Sequence, residues 1–328
     1  MRAVLVGAVE SSRIALERIA SAEGWSCPLV LTLPLEKAGR HSDFVDLQPI
    51  ADQAGADVLR VASSNDEAAL AAITEAAADI VFVIGWSQIC GEEFRRAAGD
   101  RVVGYHPAPL PRLRGRGVIP WTILNREPIS GGTLFWIDHG VDSGPILAQR
   151  FFHVAADETA ATLYAKHMTA LSTMMDEALP EIAGGDPPRI AQDERYATWA
   201  ARRTPADGSI DWSASAEDIA LLVRAVGRPY PGAQTFEGPS RLVLWKAEAV
   251  GGGGRHSAAA GQVVRRDGRS FAVMCGDGRL LEVGEWSHPE DRAPANHARL
   301  TPTPAVTARQ SQGAAQGSPA SGGQARHA

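Results

Sequence analysis

The chain of 328 residues is 45% hydrophobic and has a formal net charge of -6, so it can form two or three domains and lacks a global basic field for nucleic acid. Its cysteines are scattered and odd in number, which argues against a disulfide framework and a clustered zinc site: Cys27, Cys90 and Cys275. Since the N-terminal apolar run is too short for a signal peptide and no run approaches a membrane span, we expect a cytoplasmic protein with no membrane partner. The sequence shows no constellation of metal ligands, so we expect no metal.

Strands and helices alternate along the first hundred residues. Short apolar runs predict strands at residues 3–6, 28–33, 57–61, 80–84 and 101–105. Helices are predicted after Ser11 or Ser12, either of which can cap a helix, and over the alanine-rich residues 66–77. The β-branched run at 80–84 is typical of a strand covered on both faces. This order predicts the fold class α/β, with a doubly wound parallel sheet.

Two predicted strand ends carry residues suited to a ligand site. Ligands of such sheets bind beyond the carboxyl ends of the strands. One strand is followed by residues 85–89, and another is followed by His106. Ordinary packing would explain Trp86, but its place after a strand's carboxyl end favours a pocket wall. The turn at Gly7 lacks the G-x-G-x-x-G spacing, so a dinucleotide fingerprint is not supported.

The second half of the chain predicts a smaller, β-rich unit. A long helix at 159–182 is broken by the Gly-Gly-Asp-Pro-Pro run at 184–188. An amphipathic helix at 216–226 precedes candidate strands at 233–236, 241–249, 261–264, 271–274 and 280–283, which indicate a barrel-like domain. After about residue 290 the composition shifts to Ala, Pro, Gly, Ser, Gln and Thr. We therefore expect a catalytic domain at 1–200, a small domain at 201–288 and a disordered tail at 289–328.

The pair of residues that suggests chemistry is His106 and Asp142. His106 lies at a strand end, and Asp142 lies on a loop flanked by glycines. An imidazole with a carboxylate that orients it is the usual construction of a general base. The pair alone is weak evidence, so the surrounding motifs decide its meaning.

Those motifs resemble the formyltransferases that use N10-formyltetrahydrofolate. Residues 110–115 are similar to the family's Leu-Pro-x-x-Arg-Gly stretch, and residues 138–144 resemble its Asp-x-Gly-x-Asp-[Ser/Thr]-Gly loop. Thr133 falls where the family has a Gly-x-Thr strand. Further similarity, such as Arg-Arg-Thr-Pro at 202–205 and Pro-Tyr-Pro-Gly-Ala at 229–233, extends the resemblance over residues 1–285.

The resemblance implies a general base, a folate pocket and an acceptor site. His106 is the implied base and Asp142 its orienting partner, with N10-formyltetrahydrofolate as co-substrate and no metal. The implied folate-binding residues are Gly85, Trp86, Ser87, Gln88, Ile89, Ile137, Asp138 and Gly140. Asp138 could instead stabilise its own loop. The implied acceptor-binding residues are Tyr105, Arg112, Arg114 and Arg116.

Arg112, Arg114 and Arg116 belong to the one dense basic stretch of the chain. A solvated face would explain them, but Arg114 and Arg116 alternate around Gly115 and suit forked contacts with an anion. That anion could belong to a nucleotide diphosphate, a glutamyl tail or tRNA.

One position departs seriously from the family pattern. The family has an Asn two residues before the His, and this chain has Gly104 there. Loss of such a hydrogen-bond donor to the developing oxyanion typically costs about 10²–10³ in rate. Three explanations remain open: another donor, such as Gln88, Ser87, Tyr105 or protonated His106, a more reactive amine, or a weak or inactive relative.

The acceptor is expected to be a small amine. The acidic chain does not favour the many phosphate contacts that tRNA binding needs. The forms of residues 114–116 and 202–205 are closer to the nucleotide-sugar formyltransferases. The alternatives are a methionyl-tRNA formyltransferase, a formyltetrahydrofolate hydrolase, and a folate-binding relative that has lost catalysis.

Overall fold

The computed structural model describes residues 1–40 and 42–304. The elements of the N-terminal domain are β1 (Arg2–Val6), α1 (Glu10–Ser21), β2 (Ser26–Thr32), α2 (Gln48–Ala54), β3 (Asp57–Arg60), α3 (Glu67–Ala76), β4 (Ile80–Val83), α4 (Glu92–Ala97), β5 (Val102–His106), β6 (Arg114–Gly115), α5 (Val118–Leu124), β7 (Ile129–Trp136), β8 (Ile146–His153) and α6 (Ala160–Ala183). They are followed by β9 (Trp199–Ala200), α7 (Ala216–Ala225), β10 (Ala233–Glu237), β11 (Ser240–Val250), β12 (Val263–Asp267), β13 (Ser270–Met274), β14 (Leu280–Ser287) and β15 (Leu300–Thr301).

The first sheet confirms the predicted doubly wound fold. Its strand order is β3-β2-β1-β4-β5-β7-β8, and β1 to β5 are parallel. Helices α1 and α6 cover one face, and α3 and α4 cover the other. The antiparallel pair β7 and β8 extends the sheet beyond β5, an addition that the βαβα alternation does not predict.

The turn after β1 is fixed to the end of β4. The backbone N–H of Val9 donates to Ser12 Oγ at 3.1 Å, and that hydroxyl donates to the Ile84 carbonyl at 2.6 Å. Helix α1 begins at Glu10, with Val9 at its N-cap, so neither Ser11 nor Ser12 is the capping residue that the sequence suggested. Ser12 therefore links the carboxyl ends of β1 and β4. The strand order reverses between these two strands, and a crevice opens there.

The second sheet is the predicted β-rich unit. It has six antiparallel strands in the order β12-β13-β14-β11-β10-β15. Its outer strands approach each other, because the Leu300 N–H donates to the Gly261 carbonyl at 2.7 Å and the Val263 N–H to the Ala298 carbonyl at 2.9 Å. These bonds curl the sheet into the barrel-like form.

The tail predicted from residue 289 is wrong for the part that the structure describes. β15 pairs with β10, and Leu300 is buried in the barrel core. A two-residue strand is too short to give a periodic signal, and the surrounding proline and alanine hide it. Residues 305–328 lie outside the described residues.

The two units share a hydrophobic core. Ile119 and Ile123 of α5 and Leu163 of α6 pack with the barrel strands and α7. The boundary between the domains is therefore a packed interface rather than a linker. No helix in the described residues has the length and apolar character needed to cross a membrane.

Candidate active site

A cavity of about 1180 Å³ lies at the carboxyl edge of the first sheet. The loops that follow β1, β4 and β5 form one side, together with the loop between β7 and β8. Residues 202–205 and 230–232 close it from the side of the small domain. The cavity meets the expectation that ligands of this sheet type bind where the strand order reverses.

His106 ends β5 and lines this cavity, with its side chain almost fully buried. Its Nε2 lies 2.7 Å from the Leu113 carbonyl oxygen. Because a carbonyl oxygen only accepts, we assign the ring proton to Nε2 and leave Nδ1 as the nitrogen that can take a proton. The Leu113 carbonyl thus orients the ring, a role that the sequence suggested for Asp142. A backbone carbonyl carries no residue signature, so no sequence motif could have indicated it.

Asp142 lies on the other side of the His106 ring. Its Oδ2 is 3.5 Å from His106 Nδ1 and also accepts the Gly115 N–H at 2.8 Å. A carboxylate at this position favours the protonated imidazole by charge. Leu113 and Asp142 have φ angles of 55° and 53°, in the left-handed region that costs most residues energy and that clusters at functional sites.

A side chain at position 104 would pack tightly against its neighbours. A Cβ built on Gly104 would lie 3.0 Å from a ring carbon of Phe135 and 3.1 Å from Ile137. Phe135 lies in β7 and Ile137 directly follows that strand, and each would have to shift by a few tenths of an ångström. Phe135 and Ile137 therefore border the position where the family's amide would lie.

Two of the proposed replacement donors already have partners. The Tyr105 hydroxyl donates to the His167 carbonyl at 3.2 Å, and burial raises the pKa of Tyr105. The Gln88 amide donates to the Ala62 carbonyl at 2.9 Å. Ser87 and His106 also line the cavity. Tyr105 lines it too, but its hydroxyl is committed to His167.

The predicted folate-binding residues come together along one wall of the cavity. All eight contribute to the lining: Gly85, Trp86, Ser87, Gln88, Ile89, Ile137, Asp138 and Gly140. Gly85 has a φ of 72°, and a Cβ there would lie 2.3 Å from Val9, so this turn needs glycine. Ile89 and Val141 are 74% and 53% exposed at this wall, which suits the apolar ring system of a folate.

Asp138 stabilises the loop on which it lies. Its Oδ1 accepts the Gly140 N–H and the Ser143 hydroxyl, both at 2.9 Å. These hydrogen bonds explain Asp138 as a residue that holds its loop in place, and a contact with a pterin ring stays a prediction. Within the described residues, no group of three or more His, Cys, Asp or Glu side chains is placed to hold a metal ion.

The arginines of the basic stretch divide into two kinds. Arg112 pairs with Glu127 at 2.8 Å, and the buried guanidinium of Arg114 pairs with Glu194 at 2.6 Å. Neither arginine lines the cavity, so the ion pairs explain why both residues are present. Arg116 does line the cavity, beside Arg202 and Arg203. Burial, and then the charge of Arg202, lower the pKa of Arg116.

Arg116 and Arg202 form the positively charged part of the cavity wall. In the described part of the chain neither forms an ion pair with a carboxylate, although most other arginines do. Arg203 is held in place, since it packs 4.8 Å from the Trp121 ring and donates to the Asp207 carbonyl at 2.6 Å. Two neighbouring cations with no carboxylate partner among the described residues are suited to an anionic ligand.

Sequence reasoning missed a third group of cavity residues. Asp43, Tyr164 and Tyr230 line the cavity from three separate parts of the chain. The Tyr164 hydroxyl donates to Asp43 Oδ2 at 2.6 Å. Asp43 and Tyr164 are 121 residues apart, so only the fold brings them together.

Two family models identify the chain as a formyl-transferring enzyme. The family model described as formyl transferase matches residues 22–179, and that described as formyl transferase, C-terminal domain, matches residues 202–296. The chain belongs to the formyl transferase family.

Solved structures show the same fold. WlaRD, a sugar 3N-formyl transferase crystallised with dTDP and 5-N-formyl-THF, is 17% identical with a TM-score of 0.62, over 86% of this chain and 97% of that one. An N-formyltransferase from Helicobacter canadensis, in complex with folinic acid and dTDP-3-aminofucose, is 17% identical with a TM-score of 0.61, over 86% and 98%. HypX from Aquifex aeolicus, in complex with tetrahydrofolic acid, is 17% identical with a TM-score of 0.60, and 86% of this chain matches 43% of HypX.

Proposed function

We propose that the chain transfers a formyl group from N10-formyltetrahydrofolate to the amine of a small anionic acceptor, such as an amino sugar attached to a nucleoside diphosphate. The observation that carries this proposal is a single cavity lined by His106, by the apolar wall around Ile89 and by the unpaired Arg116 and Arg202. Two structures of similar fold, solved with a folate and with dTDP or dTDP-3-aminofucose, support the choice of acceptor class.

The chemistry assigned to the chain's own residues is proton transfer. The bound folate supplies the formyl group. The lone pair of the acceptor nitrogen forms the new bond to the formyl carbon, and the bond from that carbon to N10 breaks. His106 Nδ1 takes the proton that the acceptor nitrogen loses and returns a proton to N10, which gives the N-formyl product and tetrahydrofolate. Asp142 stabilises the positive ring between the two transfers.

Protonated His106 is the donor that we assign to the developing oxyanion. Gly104 offers no side chain, and the hydroxyl of Tyr105 and the amide of Gln88 donate elsewhere. A ring that holds a proton while negative charge forms on the formyl oxygen can donate a hydrogen bond to that oxygen and can also transfer the proton to N10. The assignment predicts a modest rate, because one charged donor replaces a dedicated amide.

The test is an assay of N10-formyltetrahydrofolate against dTDP-3-aminofucose, N-hydroxyornithine and methionyl-tRNA. We expect mass gain by one formyl group on a small amine, together with stoichiometric release of tetrahydrofolate. Folate release without a formylated product would identify a hydrolase. Formylation of methionyl-tRNA alone would replace the proposed acceptor class. Folate binding without release would mean that the change to Gly104 marks a lost activity.

A further inference from the structure

The cavity carries opposite charges on different parts of its wall. Arg116 and Arg202 supply donors only, since a guanidinium has no acceptor. Asp43 lies instead with two phenols, those of Tyr164 and Tyr230. The acceptor molecule should therefore match two unlike subsites rather than one uniform surface.

The hydrogen bonding of Asp43 defines what its subsite can bind. The Tyr164 hydroxyl uses its proton on Asp43 Oδ2 at 2.6 Å, which leaves the lone pairs of that hydroxyl and of the carboxylate. The negative charge of Asp43 adds to burial in raising the pKa of both Tyr164 and Tyr230, so both phenols stay neutral beside it. No lysine or arginine whose side chain the structure describes forms an ion pair with Asp43.

Three separate segments build this subsite. Asp43 belongs to the loop before α2, and that loop is anchored because the Val45 N–H donates to the Ala8 carbonyl at 3.0 Å. Tyr164 comes from the first turns of α6, and Tyr230 comes from the loop after α7. The subsite is therefore complete only when the small domain is packed on the sheet.

We propose that Asp43, positioned by Tyr164, binds hydroxyl or amino donors of the acceptor and so selects a donor-rich, anionic amine. This inference rests on the proposed function and names which part of the acceptor the chain recognises. A methionyl side chain has no donor, so it would leave a half-buried carboxylate without the contact that offsets its desolvation. A sugar ring with hydroxyl and amino groups, attached to a diphosphate, satisfies both subsites.

The test compares Asp43→Asn and Tyr164→Phe with the matched control Glu36→Gln, which changes an exposed acid on the segment before this loop. Transfer to dTDP-3-aminofucose is measured, or to N-hydroxyornithine if only that amine is formylated. A hydrogen bond to a charged group predicts that Asp43→Asn raises the acceptor KM by about 10–100-fold, and Tyr164→Phe by about 3–10-fold. The KM for N10-formyltetrahydrofolate should change by less than about 2-fold in all variants.

Each outcome decides between the two proposals. An acceptor KM unchanged in both variants, with the wild-type enzyme active, would reject the subsite alone. Equal losses for acceptor and folate would also reject it, because they would indicate general damage to the cavity. If Asp43→Asn does not fold, Tyr164→Phe gives the answer. A wild-type protein that formylates no amine rejects the proposed function, and the subsite is rejected with it.

Discussion

The charge of Asp142 beside His106 can be tested separately from the hydrogen bond that Asp142 accepts, because Asn fits the same backbone conformation. Asp142 has a φ of 53°, and Asn tolerates this region while keeping an oxygen for the Gly115 N–H. We therefore predict that Asp142→Asn lowers kcat by about 10²-fold or more with little change in stability, since only the charge beside the ring is lost. Asp142→Ala should lower kcat similarly and also cost about 1–2 kcal/mol of unfolding free energy.

The measurement for Asp142 combines steady-state rates with urea unfolding, and His106→Gln serves as the reference for complete loss of the base. The two Asp142 variants should differ in stability more than in kcat. A kcat near the wild-type value in Asp142→Asn would contradict the role of its charge in the mechanism.

The packing around Gly104 predicts the effect of restoring the family's Asn at this position. Because Phe135 and Ile137 fill the nearby space, Gly104→Asn should not restore the family's donor. We expect it to cost about 1–3 kcal/mol of unfolding free energy, as overpacking does, without raising kcat. The combination of Gly104→Asn with Phe135→Leu should recover part of the stability. A faster, equally stable Gly104→Asn enzyme would show that the pocket adapts without cost.

At the scale of elements, α6 carries a titrating residue that plays no part in the proposed chemistry. His167 is fully buried, and its Nε2 has no hydrogen-bond partner among the described residues. Burial, and then the proximity of His106, lower the pKa of His167 to about 3. The unfolded chain binds this proton below about pH 6.5, while the folded chain does so only near pH 3.

Stability should therefore fall as the pH falls from 6.5 towards 3. The expected contribution of His167 is about 1.4 kcal/mol of unfolding free energy per pH unit in this window. His167→Phe should remove this part of the slope, whatever its effect on absolute stability. Urea unfolding at several pH values measures it, with His139→Gln, a change of an exposed histidine, as the control. An unchanged slope in His167→Phe would contradict the assignment.

The elements also show what the sequence could predict. Strands β1 to β5 were predictable because buried parallel strands are continuous apolar runs with helical segments between them. The pair His106 and Asp142 was predictable because local motifs surround each residue. The Leu113 carbonyl and the pairing of Asp43 with Tyr164 were not, because the first is backbone and the second depends on distant segments.

For the whole molecule, the shared core ties the small domain to the active site. The core that holds Leu300 also contains Ile119 and Ile123, and the helix α5 that carries them follows directly after Arg116. Loss of barrel packing should therefore be transmitted to the cavity. Because these residues form one contiguous cluster, we expect the two domains to unfold together rather than one after the other.

Leu300→Ala tests this coupling. Leu300 is 2% exposed in β15, so its truncation should leave a cavity and cost about 2–5 kcal/mol of unfolding free energy. Leu35→Ala is the matched control, because Leu35 is 51% exposed and its loss should matter little. Calorimetry should show one transition in each protein, at a lower temperature for Leu300→Ala. A second, separate transition, or a cost as small as that of Leu35→Ala, would mean that β15 is peripheral and that the barrel does not support the active site.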